Sequence, residues 1–152
     1  CHGSDAGGNT GFPNLRDQDW LYGGSPDRIA ETITKGRKGA MPAWKGIMTD
    51  QQINDVATWL AATDPAQKTA AGAQTFATYC AACHGADAKG NLMLGAPNLT
   101  DNIWLYGGGI GDIKTTLLYG RNGQMPAHEN ILTPEKIHLL TAYVYGLSTN
   151  PQ

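Results

Sequence analysis

Cys80-Ala81-Ala82-Cys83-His84 places two thiols three positions apart and an imidazole directly after them. Two thiols so spaced on one tight turn can reach the two vinyl groups on one side of a porphyrin. The next residue then lies under the ring plane, where its imidazole can bind iron. Cys-x-x-Cys-His is the attachment pattern of c-type haem. A zinc site would need two further ligands, and Cys1, His2, His128 and His138 form no matching second pair. A dithiol redox motif belongs beside a βαβ pattern, and the sequence shows none. Three cysteines cannot all pair with one another, so a disulfide framework explains them poorly.

The iron of such a haem needs a sixth ligand, and Met in that place raises the potential. Met125 lies 41 positions after His84, and Met41 lies 39 after His2. Both occupy Gly-x-Met-Pro-Ala. A single Met is more often core filler, but two in matched settings, each followed by Pro, read as ligands. Met48 and Met93 have no such counterparts and read as packing residues. His128 aligns with Trp44, which argues against a shared ligand role, and His138 reads as a solvated helix position. Spacing leaves open whether the Met of one segment serves the iron of the other.

The matched settings belong to an internal repeat. Gly11-Phe12-Pro13-Asn14-Leu15 recurs as Gly95-Ala96-Pro97-Asn98-Leu99, and Asp17 as Asp101. Trp20-Leu21-Tyr22-Gly23-Gly24 recurs as Trp104-Leu105-Tyr106-Gly107-Gly108. Gly36-Arg37 recurs as Gly120-Arg121, and Thr49 and Ile53 as Thr133 and Ile137. Each pair is 84 positions apart (Gly95 against Gly11), whereas His84 and His2 are 82 apart, so the second copy carries two extra residues in between. The copies meet in the polar, Pro-containing stretch Thr63–Lys68, and the domains are read as 1–64 and 65–152.

Cys1-His2-Gly3 aligns with Cys83-His84-Gly85. The first Cys of the earlier motif is therefore expected ahead of residue 1, as is a helix equivalent to the one leading into Cys80; the alternative is a first haem held by one thioether, through Cys1. His2 and Met41 are read as the axial pair of a haem in copy one, and His84 and Met125 as that of copy two, giving two haems c per chain. Trp20, Tyr22, Trp104 and Tyr106 read as haem-edge groups whose N–H and O–H can reach propionates. Arg37 and Arg121, just before the Met loops, can pair with a propionate.

These residues need elements to hold them. Ser25 is a good N-cap, Pro26 suits the first helical position and Gly36 a C-terminal stop, which predicts a short helix after the Trp-Leu-Tyr-Gly-Gly turn. The matching segment of copy two runs to Gly120. Thr49 with Gln52 forms a capping box opening a longer helix, with Ile53, Val56, Ala57 and Leu60 on one face. Thr133-Pro134 opens its counterpart, with Ile137, Leu140, Val144 and Leu147 on one face. A further helix is expected from about Lys68 to Tyr79. No segment sustains period-two alternation, so the fold reads as all-α with long Gly/Pro-rich loops.

Composition agrees. The 152 residues include 20 Gly and carry 11 basic against 13 acidic side chains, with no basic block to suggest nucleic acid. Two domains of such size would be marginal on apolar burial alone, and a large cofactor would supply the missing core. No run approaches the roughly 18 apolar residues of a membrane span, and no signal peptide is visible.

Together, Cys80-Ala81-Ala82-Cys83-His84-Gly85, Gly95–Asp101 running into Trp104–Gly108, and Gly120-Arg121-Asn122-Gly123-Gln124-Met125-Pro126 resemble tandem class I cytochrome c domains. More narrowly, over essentially the whole chain, they resemble the periplasmic part of the dihaem cytochrome c subunit of cbb3-type cytochrome c oxidases. That resemblance implies an N-terminal membrane helix outside this chain and a place on the periplasmic side of a bacterial inner membrane. It also implies partners: a donor c-type cytochrome, a monohaem cytochrome c subunit and the catalytic subunit. The chain would relay electrons and perform no bond chemistry itself. The alternatives are a freestanding soluble periplasmic dihaem carrier, a dihaem peroxidase, which needs an open sixth position that two Met loops argue against, and a haem-based sensor, which needs an output domain.

Overall fold

The computed structural model describes residues 1–149. Its elements in chain order are α1 (Pro26–Lys35), β1 (Arg37–Met41), α2 (Asp50–Ala61), a 3-10 turn (Pro65–Gln67), α3 (Ala70–Tyr79), α4 (Ala81–His84), α5 (Ile110–Tyr119), β2 (Arg121–Met125) and α6 (Pro134–Thr149).

Local sequence explains most of the boundaries. The Ser25 side chain accepts from the Arg28 amide, and α1 stops at Gly36, whose φ is +69°. Thr49 and Gln52 complete the capping box of α2. Thr69 caps α3, one residue later than the expected start near Lys68. Ile53, Val56 and Ala57 are buried as expected. On α6 the buried set is Ile137, Thr141 and Ser148, with Leu140 turned out to solvent rather than lining the inner face.

The all-α expectation is corrected by a two-stranded antiparallel sheet, β1 against β2. Each strand alternates half-buried and exposed side chains. The sequence hides this because each strand has five residues with a Gly at its centre, too short and too polar for a readable period-two signal. Register pairs Arg37 with Met125, Gly39 with Gly123, and Met41 with Arg121. The two copies thus face each other about an approximate two-fold at the paired glycines.

The helices also pack across the copies. α2 packs on α3 and α5, and α1 packs on α6. One buried cluster joins Met48, Ile53, Val56 and Ala57 of the first copy to Phe76, Cys80, Ala88, Ile113 and Leu117 of the second. The other joins Ile29 and Ile33 to Ile137. The segments 1–64 and 65–152 are therefore repeat units in sequence, but they exchange helices in space.

Among the described residues, no helix is long and apolar enough to cross a membrane.

Candidate haem sites

α3 delivers the Cys80 turn. Its end flows into α4, with the amides of Cys83 and His84 both donating to the Cys80 carbonyl. That winding puts Cys80 inside and Cys83 outside, both as free thiols. Burial pushes the Cys80 thiol up to about 11, with the neighbouring Cys83 adding to the effect. His84 is buried, and burial lowers its pKa, although the bond to the Pro97 carbonyl opposes this. The ring is thus held neutral, the form in which imidazole binds metal.

His84 Nδ1 lies 3.1 Å from the carbonyl oxygen of Pro97. A carbonyl can only accept, so Nδ1 carries the proton and Nε2 keeps its lone pair free. This is the outer-shell contact that orients a ligating His. His2 repeats it, with Nδ1 2.8 Å from the Pro13 carbonyl. The loops that bring each Pro back are also repeated. Gly8 donates to His2 and Gly90 to His84, while Leu15 donates to Ala6 and Leu99 to Ala88. Ala6 and Ala88 both take φ of +59°. The two extra residues of copy two are absorbed between Asn91 and Ala96, where Leu92, Met93 and Leu94 stand exposed.

Each Met packs against a cluster that draws residues from both copies. Met41 packs against the cluster that joins Met48, Ile53, Val56 and Ala57 to Cys80 and Ala88 of the other copy, as Trp44, Leu99 and Trp104 also do. Met125 packs against Ile29, Ile33 and Ile137, beside Trp20. Backbone contacts run the same way. The Trp44 amide donates to Leu117, and the His128 amide donates to Ile33 and Thr34. Gly36 and Gly120 seat the exchanged strands. A Cβ on Gly36 would stand 2.4 Å from the Met125 carbonyl, and one on Gly120 2.4 Å from the Met41 carbonyl. Sequence spacing paired His84 with Met125 and His2 with Met41. The sheet lays each Met strand alongside that of the other copy.

The remaining expected groups are placed symmetrically. Trp20 lies over Gly24 and Trp104 over Gly108, so closely that a Cβ there would meet the indole at 2.4 and 2.6 Å. The Arg37 guanidinium lies 4.9 Å from the Tyr22 ring centre and that of Arg121 4.2 Å from Tyr106. The two Arg residues differ in partners. Both donate to the equivalent threonine hydroxyl, Thr32 or Thr116, but Arg37 also forms an ion pair with Glu31 at 2.9 Å. Glu31 was missed in the sequence because copy two has Thr115 in its place. The Pro13 and Pro97 carbonyls were missed because a backbone acceptor has no residue type to read. Their only trace was the recurring Pro-Asn-Leu.

A free, half-buried thiol pair followed by a neutral, oriented imidazole fits covalent haem. Zinc does not fit: among the described residues, no three His, Cys, Asp or Glu side chains gather as metal ligands. A groove of about 680 Å³ between α1 and α6 is lined by neither thiol nor thioether.

Turn, loops and helices together make this a cytochrome c fold. Residues 1–60 and 67–144 match the family model described as cytochrome c oxidase, cbb3-type, subunit III. The chain is 45% identical to the cbb3-type cytochrome c oxidase subunit FixP of Azorhizobium caulinodans, covering 97% of this chain and 55% of that protein. It is 45% identical to the subunit CcoP of Rubrivivax gelatinosus, covering 97% and 50%, and 42% identical to CcoP of Cereibacter sphaeroides, covering 97% and 56%. The chain belongs to the family of subunit III of cbb3-type cytochrome c oxidases. It spans about half the length of the curated relatives it matches.

Proposed function

We propose that this chain carries the two haem c groups of a cbb3-type oxidase subunit and relays electrons from a donor c-type cytochrome, through a monohaem subunit, to the catalytic subunit. It would do so on the periplasmic side of a bacterial inner membrane. The observation that carries this reading is the duplicated site: His2 and His84, each fixed by a Pro carbonyl, and Met41 and Met125, each on a strand paired with that of the opposite copy.

Haem c, when bound, supplies an iron that takes up and releases one electron. Cys80 and Cys83 would hold one group, and Cys1 with a Cys ahead of it the other. His84 with Met41, and His2 with Met125, are the axial pairs the packing favours. Each site then takes its Met from the other copy, so neither repeat, 1–64 or 65–152, is complete alone. The chain performs no bond chemistry. Its residues fix the ligands so that little reorganises when charge changes.

The test is a redox titration of the haem-loaded chain with single Met variants. In Met41→Ala the potential of the haem on Cys80–Cys83 should fall, with loss of its Met–iron absorption band. The haem on Cys1 should lose its band only in Met125→Ala. The reverse assignment would restore pairing within copies, and no change in either would remove both Met residues from the site.

A further inference from the structure

The half-buried face of the small sheet gathers residues of both copies. Side chains alternate along a strand, and directly paired residues point to the same face. Arg37, Gly39 and Met41 therefore share one face with Arg121, Gly123 and Met125, and it is the half-buried one. At its centre the paired glycines leave room for two tyrosine tips. A Cβ on Gly39 would stand 3.0 Å from the Tyr22 hydroxyl, and one on Gly123 3.9 Å from that of Tyr106. The Arg37 guanidinium covers the Tyr22 ring, and that of Arg121 covers Tyr106.

Each tyrosine also reaches into the other copy. The Tyr22 ring lies against Gly95, where an added Cβ would fall 2.2 Å from Tyr22 Cζ. The Tyr106 ring lies against Gly11, where the same atom would be 3.3 Å from Cε1. Beside Tyr106, the Leu105 carbonyl accepts from the Gly11 amide. Gly95 and Gly11 stand two residues before Pro97 and Pro13. The carbonyls of those prolines accept from His84 and His2. The tyrosine of one copy thus backs the loop that orients the histidine of the other.

We propose that Tyr22 and Tyr106 are positioning residues acting across the copies. Tyr22 holds the Pro97 carbonyl against His84, and Tyr106 holds the Pro13 carbonyl against His2. The inference rests on His84 and His2 being haem ligands. An acceptor on the outer nitrogen makes a ligating imidazole more basic, which favours oxidised iron. A Pro carbonyl that drifts away therefore raises the potential of that haem. Each haem is then tuned by a side chain of the other repeat.

The test uses the haem-loaded full-length subunit with Tyr22→Leu and Tyr22→Phe. NMR follows the potential of each haem and the exchange of two amides, Leu99 and Leu15, which donate to Ala88 and Ala6 beside the two loops. In Tyr22→Leu, Leu99 should exchange several-fold faster with Leu15 unchanged. The potential of the haem on Cys80 and Cys83 should rise, with the other nearly unmoved. Tyr22→Phe keeps Cζ and Cε1 against Gly95 and should stay close to the parent in both readouts. Tyr106→Leu should act on Leu15 and the haem on Cys1, by less, because its contact with Gly11 is looser. Leu99 and Leu15 exchanging faster together would mean general loosening and would overturn the proposal. So would a shift confined to the haem on Cys1, faster Leu99 exchange with both potentials unmoved, or Tyr22→Phe as damaging as Tyr22→Leu. Amide exchange reads the clamp without the haem, so its failure is distinct from failure of the haem reading, which a subunit lacking covalent haem would show.

Discussion

At the scale of single residues, the two halves meet the same need with the same atoms and then diverge in charge. The Pro13 and Pro97 carbonyls fix the tautomers of His2 and His84 alike. Arg37 and Arg121 stand at equivalent positions, but only Arg37 is compensated. Glu31 accepts hydrogen bonds from Arg37 and Arg28, and these two cations hold its carboxyl down to about 2. Among the described residues Arg121 faces no carboxylate. The register sets Arg37 opposite Met125, so removing the Glu31 charge should raise the potential of the haem served by Met125. Glu31→Gln followed by redox titration should show that shift, with the haem served by Met41 nearly unmoved. A second residue-scale expectation concerns Gly120, at φ +68° against the Met41 carbonyl. Gly120→Ala adds backbone strain of roughly 1–3 kcal/mol and pushes on the Met41 strand. The Met–iron band of the haem on Cys80 should weaken, although Gly120 belongs to the other repeat from Met41.

At the scale of elements, packing across the copies carries the stability. Phe76 on α3 is 2% exposed and packs on Trp59 of α2. Deleting a buried aromatic ring costs about 3–5 kcal/mol. Phe76→Ala should lose that much in chemical denaturation, and it should loosen α2 of the first copy as well as α3. If the repeats were independent packing units, hydrogen exchange would instead show α2 untouched. Helix ends were legible in the sequence because Ser25, Thr49, Gln52 and Gly36 act within one turn of themselves. The strands were not, because Arg37–Met41 forms a strand only by pairing with Arg121–Met125, whose central Gly123 lies 84 positions beyond Gly39.

At the scale of the whole molecule, acidic groups gather where the copies meet. Burial raises Asp17 and Asp19, and the Asp101 charge adds to both. A carboxyl whose folded pKa lies above its unfolded 3.8 holds more protons folded than unfolded, so stability falls as pH rises through that interval. Glu31 works the other way. Its contribution is present above 4.5 and lost as pH falls toward 2. Asp17→Asn keeps the acceptor for the Asp19 amide and removes one charge. It should raise the melting temperature at neutral pH and leave it nearly unchanged below the ordinary carboxylate range. Melting curves across pH check this, and equal effects at both ends would mean that the charge is already screened.

The sequence by itself determined the haem motif, the two-fold repeat, the helix caps and the four residues proposed as axial ligands, His2, Met41, His84 and Met125. Each of these is written in residue type and short spacing, because thioether attachment, capping and iron ligation act over one turn. The tertiary structure decided which buried cluster each Met strand packs against and where the small sheet forms. In a repeat, a segment matches its own copy and the other copy equally well in sequence. The choice between them is made by packing, here by Gly36 and Gly120 admitting the opposite strand and by α3 closing on α2.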